Sequence, residues 1–147
     1  MLSVNSPGLK RVFVVASEKD VAANGCPIAT QDITVNIKNR QTAIDQAHYG
    51  PMLPGDPNNG FWKQKADIWG VTPAEAKKAR CKNCAAFVRT PEMLDCIATA
   101  LGTEGFESGW GTIHQAKLGF CNIFDFKCAG ERTCDAWVTN GPITKQP

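Results

Sequence analysis

Long hydrophobic runs are missing from this 147-residue chain. None approaches the roughly eighteen apolar residues that a bilayer-spanning helix needs, so no membrane association is expected. An excess of one charge is missing too. Sixteen basic residues are offset by fourteen acidic ones, leaving a formal charge of +2. That excludes the broad basic footprint of a nucleic-acid-binding protein. Histidine is scarce, with two in the chain, and neither lies near a nucleophile in sequence. The carboxylates are scattered, and no Ser–His–acid arrangement suggests itself. The glycines of "GTEGFESGWG" lack both the lysine and the preceding strand of a phosphate-binding loop. No enzyme is expected. A secretory leader is not legible either: in "MLSVNSPGLKRVFVVASEKD" the apolar run "VFVVA" is too short and follows the charges by one step. A disulfide framework is therefore not expected, and the expected location is the cytoplasm.

Against these absences stand seven cysteines: Cys26, Cys81, Cys84, Cys96, Cys121, Cys128 and Cys134. A chain of this length buries a core without staples, so they are expected to do something besides packing. The frame around them reads as a small irregular α+β fold of short helices and long loops. Residues 1–38 read as a β-prone arm or hairpin. "RVFVVAS" is strand-like, and "DITVNIK" alternates Ile33, Val35 and Ile37 against polar residues. Residues 39–147 form the cysteine-bearing domain. Its short helices are expected from Asn39 to about Gly50, from Phe61 to Gly70, from the "TPAE" capping box at Thr72 into Cys81, and from Thr90–Pro91 to Gly102. The tail after "GTEGFESGWG" reads as irregular, which puts Cys121, Cys128 and Cys134 in loops.

Three chemistries compete for the cysteines. A redox Cys-x-x-Cys opens a helix, whose dipole favours the thiolate; here the knuckle Cys81–Cys84 closes one, with the dipole reversed. Zinc wants two close pairs, and Cys81 with Cys84 is one such pair. The second must come from Cys121, Cys128 and Cys134, spaced more widely than a knuckle, with His48 and His114 as reserves. An iron–sulfur cubane offers four iron corners, each taking its own thiolate, and suits one close pair plus two distant singles: Cys81, Cys84, Cys121 and Cys134. Ala85, Ala86, Phe87, Phe120, Ile123, Phe124 and Trp137 flank these positions and can exclude water, or simply pack a core. Zinc stays open beside the cluster. Cys96 reads as a buried free thiol, or as a disulfide partner of Cys128. Cys128 is also a reserve ligand, and Cys26 reads as a plain thiol.

"CKNCAAF" followed by "GFCNIFDFKCAGERTCDAW" resembles the high-potential iron–sulfur proteins. The resemblance lies in Cys81, Cys84 and Phe87, then Cys121 with Phe124, then Cys134 with Trp137. It implies one [4Fe–4S] cluster ligated by Cys81, Cys84, Cys121 and Cys134, one-electron transfer with an unidentified redox partner, and Tyr49 packed against the cluster. The gap from Cys84 to Cys121 is longer than the family's. The C-terminal stretch also resembles small cysteine-rich proteins of tailed marine phages. That resemblance implies a virion or host-cytoplasm location and an N-terminal arm docked on a phage structural protein. There a cluster or zinc would serve only to fix the fold.

Overall fold

A three-stranded antiparallel sheet orders its strands as they follow in the chain. β1 is Phe87–Val88, β2 is Leu118–Cys121 and β3 is Phe126–Ala129. The computed structural model describes residues 21–101 and 109–145. Among them are six helices: α1 Ile28–Gln31, α2 Ile33–Ala47, α3 Asn59–Trp69, α4 Pro73–Ala76, α5 Pro91–Leu101 and α6 Gly109–Ala116. The α+β expectation stands. None of these helices is long and apolar enough to cross a membrane.

Register decides which side chains meet. Phe87 pairs with Cys121, Cys121 with Phe126, and Gly119 with Cys128. Paired residues share a face. Phe87, Gly119, Cys121, Phe126 and Cys128 therefore line one side, and Val88, Phe120 and Lys127 the other. The first side meets Ala43 and Ala47 of α2 in the main core, with Tyr49, Ile123, Phe124, Ala136 and Val138. The second packs Val88 and Phe120 against Ala29 of α1. Gly119 is required where it stands, because a Cβ there would lie 2.5 Å from the Phe87 ring.

The N-terminal region departs from the sequence reading. "DITVNIK" is not a strand but the first two turns of α2. The Asp32 carboxylate accepts the Thr34 and Val35 N–H groups, capping the helix well before Asn39. The alternation misled because Ile33 and Ile37 are also four apart and lie together on one turn-to-turn stripe, 68% and 59% exposed. Asn36, Ala43 and Ala47 face inward instead. Asn39 is interior to the helix, and its amide donates to the Asp125 carbonyl at 2.7 Å. The boundary expected at residue 38 thus falls inside α2. "RVFVVAS" lies outside the described residues.

Other boundaries were read better. Gly70, in the left-handed conformation, ends α3. Thr72 accepts the Glu75 N–H and Thr90 the Met93 N–H. α4, however, stops at Ala76 and does not run into Cys81. The knuckle sits on a separate 3-10 turn, Cys81–Asn83. The "irregular" tail contains the β2–β3 hairpin, and Gly109 opens α6 rather than ending a loop.

The largest correction is covalent. Cys26 and Cys96 form a disulfide across 70 residues of sequence, so neither is the free thiol expected, and Cys128 is not the partner of Cys96. The Gln31 amide donates to the Cys96 carbonyl beside it, at 2.8 Å. The bridge fastens the segment before α1 to the middle of α5. Chain-entropy reasoning gives a loop of this length about 4 kcal/mol, with measured bridges commonly worth about 2–4 kcal/mol. The double variant Cys26→Ser/Cys96→Ser is expected to lose about that much in urea unfolding while leaving the sheet's cysteines untouched.

Candidate functional site

The five remaining cysteines are reduced, and all five line one cavity. Four short pieces of chain bring them there. The 3-10 turn supplies Cys81 and Cys84, the end of β2 supplies Cys121, the middle of β3 supplies Cys128, and the loop after β3 supplies Cys134. Cys121 and Cys128 are thus strand residues, not loop residues. Ala86, Phe87, Ile123, Thr133 and Trp137 complete the wall.

Backbone bonds hold these pieces in register. The Cys81 N–H donates to the Arg132 carbonyl at 2.6 Å, and Lys82 N–H to Gly130 at 2.9 Å. Gly50 and Thr133 exchange two bonds, 2.6 and 2.9 Å, and Asp135 N–H donates to Ala47 at 2.7 Å. The final segment folds over the knuckle: Ala85 N–H reaches the Val138 carbonyl, and Ile143 pairs with β1. Gly141 passes so close that a Cβ on it would overlap the Cys84 carbonyl, which leaves only glycine at that position. Asn83, inside the knuckle, accepts from the Arg80 N–H and the Trp137 indole and donates to the Lys78 carbonyl.

Three of the sulfurs accept backbone N–H groups from the residue two positions on. Ala86 N–H donates to Cys84, Ile123 to Cys121 and Ala136 to Cys134. Phe124 N–H adds a second bond to Cys121 at 3.3 Å, and Val138 a second to Cys84 at 3.5 Å. Such bonds favour the thiolate. Burial opposes them. It pushes the Cys84 thiol up to about 11 and the Cys134 thiol well above its ordinary value. Cys128 is pushed well up by burial and by its hydrogen bonds to Cys121 and Cys81. The hydrogen bond from Cys128 holds Cys121 below the ordinary thiol value, against burial. A bare negative sulfur is therefore costly at Cys84, Cys128 and Cys134, and the five thiols lie around a space whose walls are otherwise mostly apolar.

The expected shell is partly assembled. Phe87 and Trp137 line the cavity, and Phe124 and Tyr49 belong to the same core. Tyr49 is buried, meets Phe126 edge-on at 5.0 Å, and accepts the Ala129 N–H at its hydroxyl. Burial, reinforced by Cys128 and Cys81, pushes its phenol upward. Phe120 is the exception: next to Cys121 in a strand, it points to the opposite face and packs with Val88. Lys127 is turned away in the same manner. Neither histidine lines the cavity. His48 bonds Asp135, and His114 lies beside Trp110.

The sequence reading missed a polar group behind Cys134. Lys65, fully buried on α3, donates to Asp135 Oδ1 at 2.5 Å and to the His48 carbonyl at 3.0 Å. Its ammonium also sits 4.7 Å from the Phe61 ring centroid. Trp69 donates its indole N–H to the Asp135 carbonyl at 3.1 Å. A lysine on the apolar side of "FWKQKADIW" was the one available signal. Glu131 anchors the same loop from outside, pairing with Arg80, Lys82 and Lys117.

Among the described residues, no three or more His, Cys, Asp or Glu side chains converge tightly enough to hold one metal ion. The comparisons with known proteins are silent: no family model, no curated protein and no solved structure matches the chain.

Proposed function

We propose that the chain binds one [4Fe–4S] cluster through Cys81, Cys84, Cys121 and Cys134 and passes single electrons through it. One observation carries this reading. Five reduced cysteines from four separate pieces of chain surround a single cavity, and three of them receive backbone N–H bonds from two residues on. A purely structural core has no use for thiols aimed at one another and supplied with donors. Thiols drawn from four separate pieces of chain around one cavity suit a group whose metal corners each take a separate thiolate.

A cluster bound there supplies one-electron chemistry, and the chain's residues set its terms. Phe87, Ile123 and Trp137 keep water from the sulfurs, which makes added negative charge costly. A dry pocket thus favours the couple of lower total charge, the −1/−2 pair, over −2/−3. Arg80, Lys82 and Lys117 pair with Glu131 of the 130–134 loop, Arg132 in that loop adds a fourth cation, and the surplus of positive charge favours the reduced member. Cys134 and Trp137 are the partly exposed side of the site and the natural place for electrons to enter. The Cys26–Cys96 disulfide fits work in an oxidising compartment, where such bridges persist, better than the cytoplasm expected from the sequence.

Protein purified without oxygen is expected to contain about four irons and four sulfides per chain. It should be brown, silent in electron paramagnetic resonance, and acquire a signal on oxidation rather than on reduction. A colourless zinc protein ends the reading. An iron protein with no reversible couple in voltammetry reduces the cluster to a device for holding the fold.

A further inference from the structure

Thr133 is fully buried, and its hydroxyl has no hydrogen-bond partner, although it lines the cysteine cavity. Buried hydroxyls are almost always bonded, so one that is not points to a partner outside the protein's own groups. Packing does not explain it either, because valine has the same shape without the polar atom. Nor is the backbone free to carry the side chain elsewhere. Gly50 holds both backbone groups of Thr133, Cys81 holds the Arg132 carbonyl before it, and Ala47 holds the Asp135 N–H after it. None of the five cysteine sulfurs partners the hydroxyl. Its partner is then to be sought in an occupant of the cavity rather than in the chain.

Building on the cluster reading above, we propose that the Thr133 hydroxyl donates a hydrogen bond to a bridging sulfide of the cluster and thereby raises its reduction potential. A donor aimed at the cluster stabilises the more negative, reduced state, as hydrogen bonds to cluster sulfurs do in general. The position is suited to this and to little else. The residue is adjacent to the ligand Cys134, is fixed by its backbone at Gly50, and lies in a wall whose other side chains are thiols and apolar groups.

The test uses the loaded protein and three variants: Thr133→Val, Thr133→Ala and Thr133→Ser. Iron and sulfide content, midpoint potential and the deuterium sensitivity of the bridging Fe–S vibrations are measured for each. The hydroxyl-free variants are expected to keep their iron and to shift the redox equilibrium toward the oxidised state about tenfold, or about 59 mV for one electron. They should also lose part of the deuterium shift, and Thr133→Ser should restore both. If neither Val nor Ala retains iron while Ser does, the hydroxyl is required and the proposal stands. If all three lose iron, the residue serves packing and the proposal falls. Hydroxyl-free variants with the parent's potential and deuterium shift overturn it while leaving the cluster intact. A parent protein without iron overturns the cluster reading itself, and this proposal with it.

Discussion

Lys65→Met is expected to destabilise the protein by about 3–5 kcal/mol, a large share of the roughly 5–15 kcal/mol that holds a domain of this size folded. The lysine is fully buried and its carboxylate partner only 13% exposed. Methionine fills similar volume, so the loss is electrostatic rather than a cavity. What remains is a carboxylate in an apolar site with His48 Nδ1, at 2.7 Å, as its nearest ionisable neighbour. The ammonium also ties two segments to α3, since it donates both to Asp135 and to the His48 carbonyl. Both segments border the cysteine cavity, Asp135 by following Cys134 directly. Removing the charge from the other side separates the causes. In Lys65→Met/Asp135→Asn the unpaired carboxylate is gone, and the pair is expected to recover a substantial part of the loss; a strictly additive double variant would show that the two groups do not act together. Urea unfolding of all four proteins under identical redox conditions measures the coupling.

That ion pair shows where the sequence was informative and where it was not. Local signals were legible because their physics is local. Thr72 and Thr90 cap helices, Gly70 ends one, and Cys81 with Cys84 makes a turn that brings two sulfurs to one place. The convergence of Cys81, Cys84, Cys121 and Cys134 on one cavity was also within reach, from spacing and from the aromatic residues beside them. Strand faces were not, because the β2–β3 hairpin had been read as irregular chain. Without its register, Phe120 could not be sent to one face and Cys128 to the other. The Ile33–Val35–Ile37 alternation failed for the converse reason: a period of two and a spacing of four coincide over so short a stretch, and the Asp32 cap decides between them. The Cys26–Cys96 bridge and the Lys65–Asp135 pair each span 70 residues. No local pattern encodes such a pairing, and the unpaired Thr133 hydroxyl emerges only once the loop carrying it is clamped to Gly50.

On the cluster proposal, single alanine replacements at the cysteines are expected to divide them sharply. Cys84→Ala, Cys121→Ala and Cys134→Ala should each empty the protein of iron, because each removes a sulfur to which the backbone already directs N–H groups. Cys81→Ala should do the same, since Cys81 and Cys84 are held as one unit by the Cys84 N–H bond to the Cys81 carbonyl at 2.9 Å. Cys128→Ala should keep the iron. A cubane takes one thiolate at each of four irons, so five thiols leave one over. Cys128 is that one on geometric grounds: it sits in mid-strand, fixed by its pairing with Gly119, with its thiol hydrogen-bonded to Cys121 and Cys81. On the cluster proposal it donates to a neighbouring ligand, so its loss should alter the visible spectrum without bleaching it. Iron and acid-labile sulfide per chain, measured on protein purified without oxygen, give the result directly. Retention in Cys81→Ala, with loss in Cys81→Ala/Cys128→Ala, would mean that Cys128 can step in as the fourth ligand. Iron lost from Cys128→Ala but kept in Cys81→Ala would exchange the two roles. Iron indifferent to all five replacements would remove the cavity from the account altogether, because then none of these sulfurs binds it.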